Sequence, residues 1–183
     1  MEELMLGSGN AQTNDCDKVC SALCNCSVKP ECVTPIEREM QRHLQLQSKL
    51  CNQLEQIADE LPYRVDRQKL LLVARSIMPT VKRAHRFEEN RIFPQIEARA
   101  GTLDGLKQSL ERLQFEHWED ESFAEDLTDG LIKFVARPET TNTDTLSYML
   151  RGFFEGLRRH IAFEVDHIMP LLRQRHPLQV ISS

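Results

Sequence analysis

Four stretches of this chain each place one histidine on an apolar stripe of helical period, and three of the four follow it with glutamate four residues later. The pairs are His85/Glu89 in RAHRFEENRIFP, His117/Glu121 in HWEDE and His160/Glu164 in HIAFE; His43 stands without a glutamate. Residues at i and i+4 lie on one helical face, so each pair stacks an imidazole over a carboxylate. Such a pair on an otherwise apolar face suits a metal ion. A fold for this chain must therefore find a place for four imidazoles and three carboxylates among its buried faces.

The helices are bounded by recognisable signals. Thr34-Pro35-Ile36-Glu37 reads as a capping box with proline at the first helical position. Ile36, Met40, His43, Leu50, Leu54, Ile57 and Leu61 then recur at helical spacing until Pro62, with Gln47 one turn beyond His43. A second run spans about 66–98 with Leu70, Ala74, Ile77, Val81, His85, Glu88/Glu89, Ile92 and Ile96 on its stripe. Pro79 is expected to kink or divide it, and Pro94 to do the same near its end. Gly101 breaks the pattern, with Thr102 or Asp104 available to cap the next helix. The third run, about 104–135, ends at Arg137-Pro138, and Thr143 in TTNTD is the expected cap of the fourth, about 144–175, which Pro170 interrupts. No strand pattern competes. The expectation is an all-α chain, an antiparallel up-down-up-down four-helix bundle with short connections.

Depth in that bundle brings the histidines together. His43 and His85 lie about 20 and 22 residues from the turn near Tyr63, and His85 and His117 each about 16 from the turn near Gly101. His117 and His160 lie about 23 and 20 residues from the turn near Thr140, again within roughly one helical turn of each other. Each glutamate sits one turn from its histidine, alternately up and down, which gives two ligand tiers and suggests two metals. Without metal, the same groups would be buried together at several kcal/mol per unpaired charge.

Composition narrows the remaining classes. A net charge of −5 with no basic face argues against nucleic acid as a partner. No apolar run is long enough to span a bilayer, and MEELMLGSGN lacks the apolar core of a secretory signal, so a cytoplasmic protein is expected. Residues 1–33 differ from the rest: five of the six cysteines, Cys16, Cys20, Cys24, Cys26 and Cys32, fall there in a spacing that matches no paired CxxC zinc pattern. The expected organisation is a Cys-rich tail at 1–33, the bundle at 34–176 and a short tail at 177–183.

The order His43, His85-x3-Glu89, His117, His160-x3-Glu164 resembles the hemerythrin-like HHE cation-binding domains over residues 35–175, down to the Phe93-Pro94 and Met169-Pro170 dipeptides after the second and fourth ligand pairs. The resemblance implies a non-haem centre of two iron ions bridged by two carboxylates and an oxo or hydroxo group. By position, Glu89 and Glu164 are the bridges, with His43, His85, His117 and His160 as terminal ligands. On chemical grounds the mixed imidazole and carboxylate donors suit iron, manganese or zinc, and their number exceeds what one tetrahedral zinc requires, which favours iron. Glu-x-x-His occurs only once, at Glu164/His167, which disfavours the ferritin-like pattern and puts His167 outside the ligand set. His176, before Pro177, reads as surface.

One departure bears on function. Oxygen-carrying hemerythrins are similar but have HxxxH in the third helix and Asp five residues after the fourth-helix histidine; this chain has Glu121 and Glu164 instead. Carboxylate in place of imidazole stabilises ferric iron. Spacing leaves open whether Glu121 or Glu88 ligates directly. The expected function is binding of O2 or sensing of oxygen, iron or redox state. The alternatives are an enzyme acting on peroxide or nitric oxide, an iron–sulfur repair-type factor whose N-terminal domain is not evident here, and iron storage.

Overall fold

The computed structural model describes residues 33–61, 63–100 and 105–173; the Cys-rich segment, Pro62, Thr102, Asp104, His176 and the C-terminal tail lie outside them. Among the described residues the chain is all-α, with four long helices and no strand. Helix α1 (Pro35–Glu60) starts with the expected capping box: Thr34 Oγ1 accepts from the Glu37 amide at 3.3 Å, and Glu37 Oε2 accepts from the Thr34 amide at 2.6 Å. Helix α2 (Arg67–Phe87) is capped by Asp66, whose carboxylate accepts from the Gln68 and Lys69 amides.

Pro79 does not divide α2. Pro79 and Arg75 are both exposed, so the carbonyl left without a donor faces water. Breaks come instead where Pro94 and Pro170 act. A π-helical turn, Glu88–Ile92, follows α2 and leads into α3 (Phe93–Ala100); a matching turn, Glu164–Ile168, follows α5 (Thr143–Phe163) and leads into α6 (Met169–Arg173). Each proline is thereby the second residue of a new helix, a first-turn position where its missing N–H is harmless. In both turns the first residue is a buried glutamate and the last a buried isoleucine.

Helix α4 (Leu106–Ala136) begins after Gly105, whose φ of +85° is left-handed and suits glycine. The cap of α5 is Asn142 rather than Thr143: its side chain accepts from the Thr145 amide at 3.0 Å, and Thr143 is the first helical residue.

Helix α1 packs against α2 and α5, and α4 packs against the same two, closing a ring of four. Arg151 meets Asp59 at 2.6 Å and Arg158 meets Glu55 at 2.6 Å, so numbering falls on α1 as it rises on α5. Likewise Lys82 meets Glu121 while Glu89 meets His117. The exposed Arg151–Asp59 and Arg158–Glu55 pairs fix register more than they stabilise. No described helix is long and apolar enough to cross a membrane.

The apolar interior is divided. One cluster joins Leu50, Leu54, Ile57, Leu70, Ile77, Leu127, Leu131, Leu150, Phe153 and their neighbours. The other joins Met40, Leu44, Phe87, Ile92, Phe93, Leu110, Leu113, Ile168 and Met169. On every long helix a buried polar residue lies between the two clusters: Gln47, His85, His117 and His160.

Cys51 lies inside the first cluster, fully buried, and burial pushes its thiol up to about 11 from 9.0. Since the thiolate is the nucleophile, folded protein at about pH 8 should leave Cys51 unalkylated by iodoacetamide until denaturant is added. Peptide mass spectrometry reads this directly, and free-thiol labelling rates in the native state would contradict it. The sign for stability follows: the fold favours the neutral thiol, so this contribution is whole below pH 9.0 and is lost as pH climbs towards 11.

Candidate metal centre

Apart from Glu37, which closes the capping box, the buried polar side chains of the described residues are His43, Gln47, His85, Glu88, His117, His160 and Glu164. Gln47, His85, His117, His160 and Glu164 fall between the two apolar clusters, and His43 and Glu88 lie at the adjoining edge of the second, beside Leu44 and Phe87. Helix α1 brings His43 and Gln47; α2 and its π turn bring His85 and Glu88. Helix α4 brings His117, and α5 with its π turn brings His160 and Glu164.

The outer faces of two imidazoles are bonded crosswise. His85 Nδ1, on α2, lies 3.3 Å from Glu121 Oε1 of α4; His117 Nδ1, on α4, lies 2.8 Å from Glu89 Oε1 beyond α2. The first two HxxxE spacings thus supply a brace to the other helix's histidine rather than to their own. A carboxylate only accepts, so each Nδ1 donates its hydrogen, and in the neutral rings the lone pair sits on Nε2. The two rings stack at 4.0 Å, tilted by 5°. Lys82 Nζ, 4.0 Å from Glu121 Oε2, adds a cation behind one brace.

The inner nitrogens face carboxylates. His117 Nε2 lies 3.1 Å from Glu88 Oε2, and His160 Nε2 lies 3.5 Å from Glu164 Oε1 and 3.9 Å from Glu88 Oε2. None of Nε2 of His85, His117 and His160, both Glu88 oxygens and Glu164 Oε2 makes a hydrogen bond, although all are buried. A buried polar atom left unpaired costs roughly 1–3 kcal/mol. Here acceptors point at acceptors, which a proton or a cation must separate.

Crowding splits the ionisations in opposite directions. Burial opposes charge on Glu88, but the His117 and His160 imidazoles outweigh it and hold the carboxyl well below its usual range. Glu164 goes the other way, pushed well above by burial and then by the Glu88 charge. Burial and the neighbouring His117 bring His85 down to about 3. His160 is lowered by burial, yet Glu164 and Glu88 together carry it up to about 11. Metal cations satisfy the same groups without trapped protons, and displace protons on binding.

Two overlapping groups have donor atoms all within 4.8 Å of one another: His85, His117 and His160, and Glu88, His117, His160 and Glu164. The cluster fits a metal in number, burial and donor chemistry. A family model described as the hemerythrin HHE cation binding domain matches residues 34–172. This chain belongs to the hemerythrin HHE cation-binding family. No curated protein and no solved structure matches it significantly.

Within this hemerythrin domain, His85, His117, His160 and Glu164 lie in the grouped set. Glu89 and Glu121 lie outside it, about a third exposed at 35 % and 30 %, against the outer nitrogens. Glu88, three residues after His85, is the carboxylate turned inward, at 0 % exposure. The i+4 rule applies to a regular α-helix, whereas the wider turn beginning at Glu88 alters the angular register from that residue onward. His43 is buried in the same layer, its ring 4.9 Å from Phe87, but it is not in the grouped set. His167 is exposed and packs on Phe163 at 4.6 Å.

A cleft of about 450 Å³ between α4 and α5 reaches His160 past Arg112, Glu116, Asp120, Gly156 and Arg159. Burial pushes the Asp120 carboxyl up, with the His160 and His117 imidazoles pulling against it. Gly156 puts no side chain into this cleft, and a Cβ there would meet only Arg159 Nη2, at 3.8 Å.

Proposed function

We propose that this hemerythrin domain holds a non-haem di-iron centre in an up-down-up-down bundle and uses it to bind O2 or to sense oxygen, iron or redox state. The observation that carries the reading is the set of inward Nε2 lone pairs facing two buried carboxylates, with no hydrogen bond among them. His85, His117 and His160 would hold the iron as imidazole ligands, with His43 added from α1, and Glu88 and Glu164 would supply the carboxylates. Opposite running of the α1/α5 and α2/α4 pairings supports the bundle topology.

Iron supplies a ferrous–ferric couple that responds to O2. The chain's own part is to orient the ligands and exclude water. Glu89 and Glu121 hold His117 and His85 in the tautomer that turns Nε2 inward. The two apolar clusters seal the layer above and below.

An enzyme acting on peroxide or nitric oxide is the second reading, favoured by the cleft that leads from the surface to His160 past Asp120. The experiment is to reduce the iron-loaded chain without air, add O2 in steps and follow the optical spectrum. A binder or sensor gives a stable or slowly decaying oxygen-dependent spectrum. Repeated turnover with peroxide or nitric oxide and an electron donor selects the enzyme. Indifference to all three overturns both readings.

A further inference from the structure

Gln47 is the one member of the polar layer that the metal reading does not use. It is fully buried, at 0 % exposure, and both its amide nitrogen and its amide oxygen lack a hydrogen-bond partner among the described residues. It sits on α1 one turn beyond His43, after Leu44 of one apolar cluster and before Leu50 of the other. Leucine or methionine would fill a similar volume there without burying two unpaired polar groups, so an apolar role alone does not account for an amide.

The grouped donors come from α2, α4, α5 and their π turns. Helix α1 gives that group none, and His43 is the one ligand proposed from it, so its side of the layer carries the fewest donors; a reactive metal site keeps a position open for an added ligand. The buried polar residue one turn beyond His43 on α1 is a neutral donor and acceptor. A lysine would add charge and a glutamate would compete for the metal. An amide N–H does neither, and can donate to a small ligand that keeps a free lone pair.

We propose that Gln47 is a positioning residue that donates a hydrogen bond from its amide to a small anionic or diatomic ligand held at the centre. This rests on the di-iron reading above. The amide oxygen is left to accept from the ligand when it is protonated, or from water.

The test uses the full chain loaded with ferric iron and azide as the probe, comparing wild type with Gln47→Leu. Expected are equal iron per chain, an unfolding temperature of the metal-free variant equal to or above wild type, and azide binding at least about tenfold weaker, read by absorbance. In wild type, the infrared stretch of bound azide should shift between H2O and D2O, and in Gln47→Leu it should not. Equal azide affinity in the two proteins overturns the proposal in favour of simple space filling. Iron loss in Gln47→Leu overturns it in favour of direct ligation. Should that variant fail to fold, the isotope shift in wild type decides alone, and its absence overturns the proposal. Failure of the wild type to hold iron removes the di-iron reading itself, an outcome distinct from unchanged azide binding in an iron-loaded variant.

Discussion

Glu88→Gln is expected to strip the chain of iron, while Glu89→Gln leaves it loaded. The two carboxylates are neighbours in sequence, and a reading by spacing favours the second. Their surroundings differ in kind. Glu88 is wholly buried, faces His117 and His160, and has two oxygens without hydrogen bonds. Glu89 is partly exposed and spends one oxygen on His117 Nδ1. On the proposed reading, loss of the buried Glu88 carboxylate removes a ligand and a compensating charge, so retained iron should drop to below about a tenth of wild type after desalting. Loss of an outer brace should weaken affinity by about 10–100-fold, with binding still complete at excess iron. Elemental analysis after reconstitution reads both. Full iron in Glu88→Gln with loss in Glu89→Gln would reverse the ligand assignment.

The second large effect belongs to the apolar half of the bundle. Phe153→Ala should destabilise the domain by about 3–5 kcal/mol, a fall in midpoint temperature of roughly 10 °C. Phe153 is 2 % exposed, lies in the cluster that contains no grouped ligand, and meets Phe123 edge to face at 5.5 Å. Truncation leaves a void that the surrounding Leu and Ile side chains close only in part. Because the metal layer lies beyond Leu157 on the same helix, folded Phe153→Ala should keep wild-type iron content. Thermal unfolding by circular dichroism measures the first expectation and elemental analysis the second; a loss under about 1 kcal/mol would contradict the packing account.

These two residues also mark what spacing can and cannot reveal. Phe153 is legible because a 3.6-residue stripe continues unbroken through Leu146, Leu150 and Leu157 to His160, and packing simply obeys it. The four histidines are legible for the same reason. Glu88 is legible only as an alternative: the stripe admits Glu88 or Glu89, since i+3 and i+4 share a helical face, and the turn that begins at Glu88 is announced by nothing but the later proline. Spacing also pairs each histidine with the glutamate on its own helix. The structure instead crosses His85 to Glu121 and His117 to Glu89, a choice set by two rings stacking at 4.0 Å between helices. Pro79 shows the converse: a local rule predicts a break, and exposure of that face lets water absorb it.

The centre itself is tested most directly by metal analysis of the full chain. Protein reconstituted without air, then desalted, should retain about two iron ions per chain, and their removal by chelator should lower thermal stability. Glu88 and Glu164, with the imidazoles turned inward, predict that result. A chain that keeps its helical fold and thermal midpoint while holding no metal, or a single zinc, would contradict the account, and the buried histidines would then be structural.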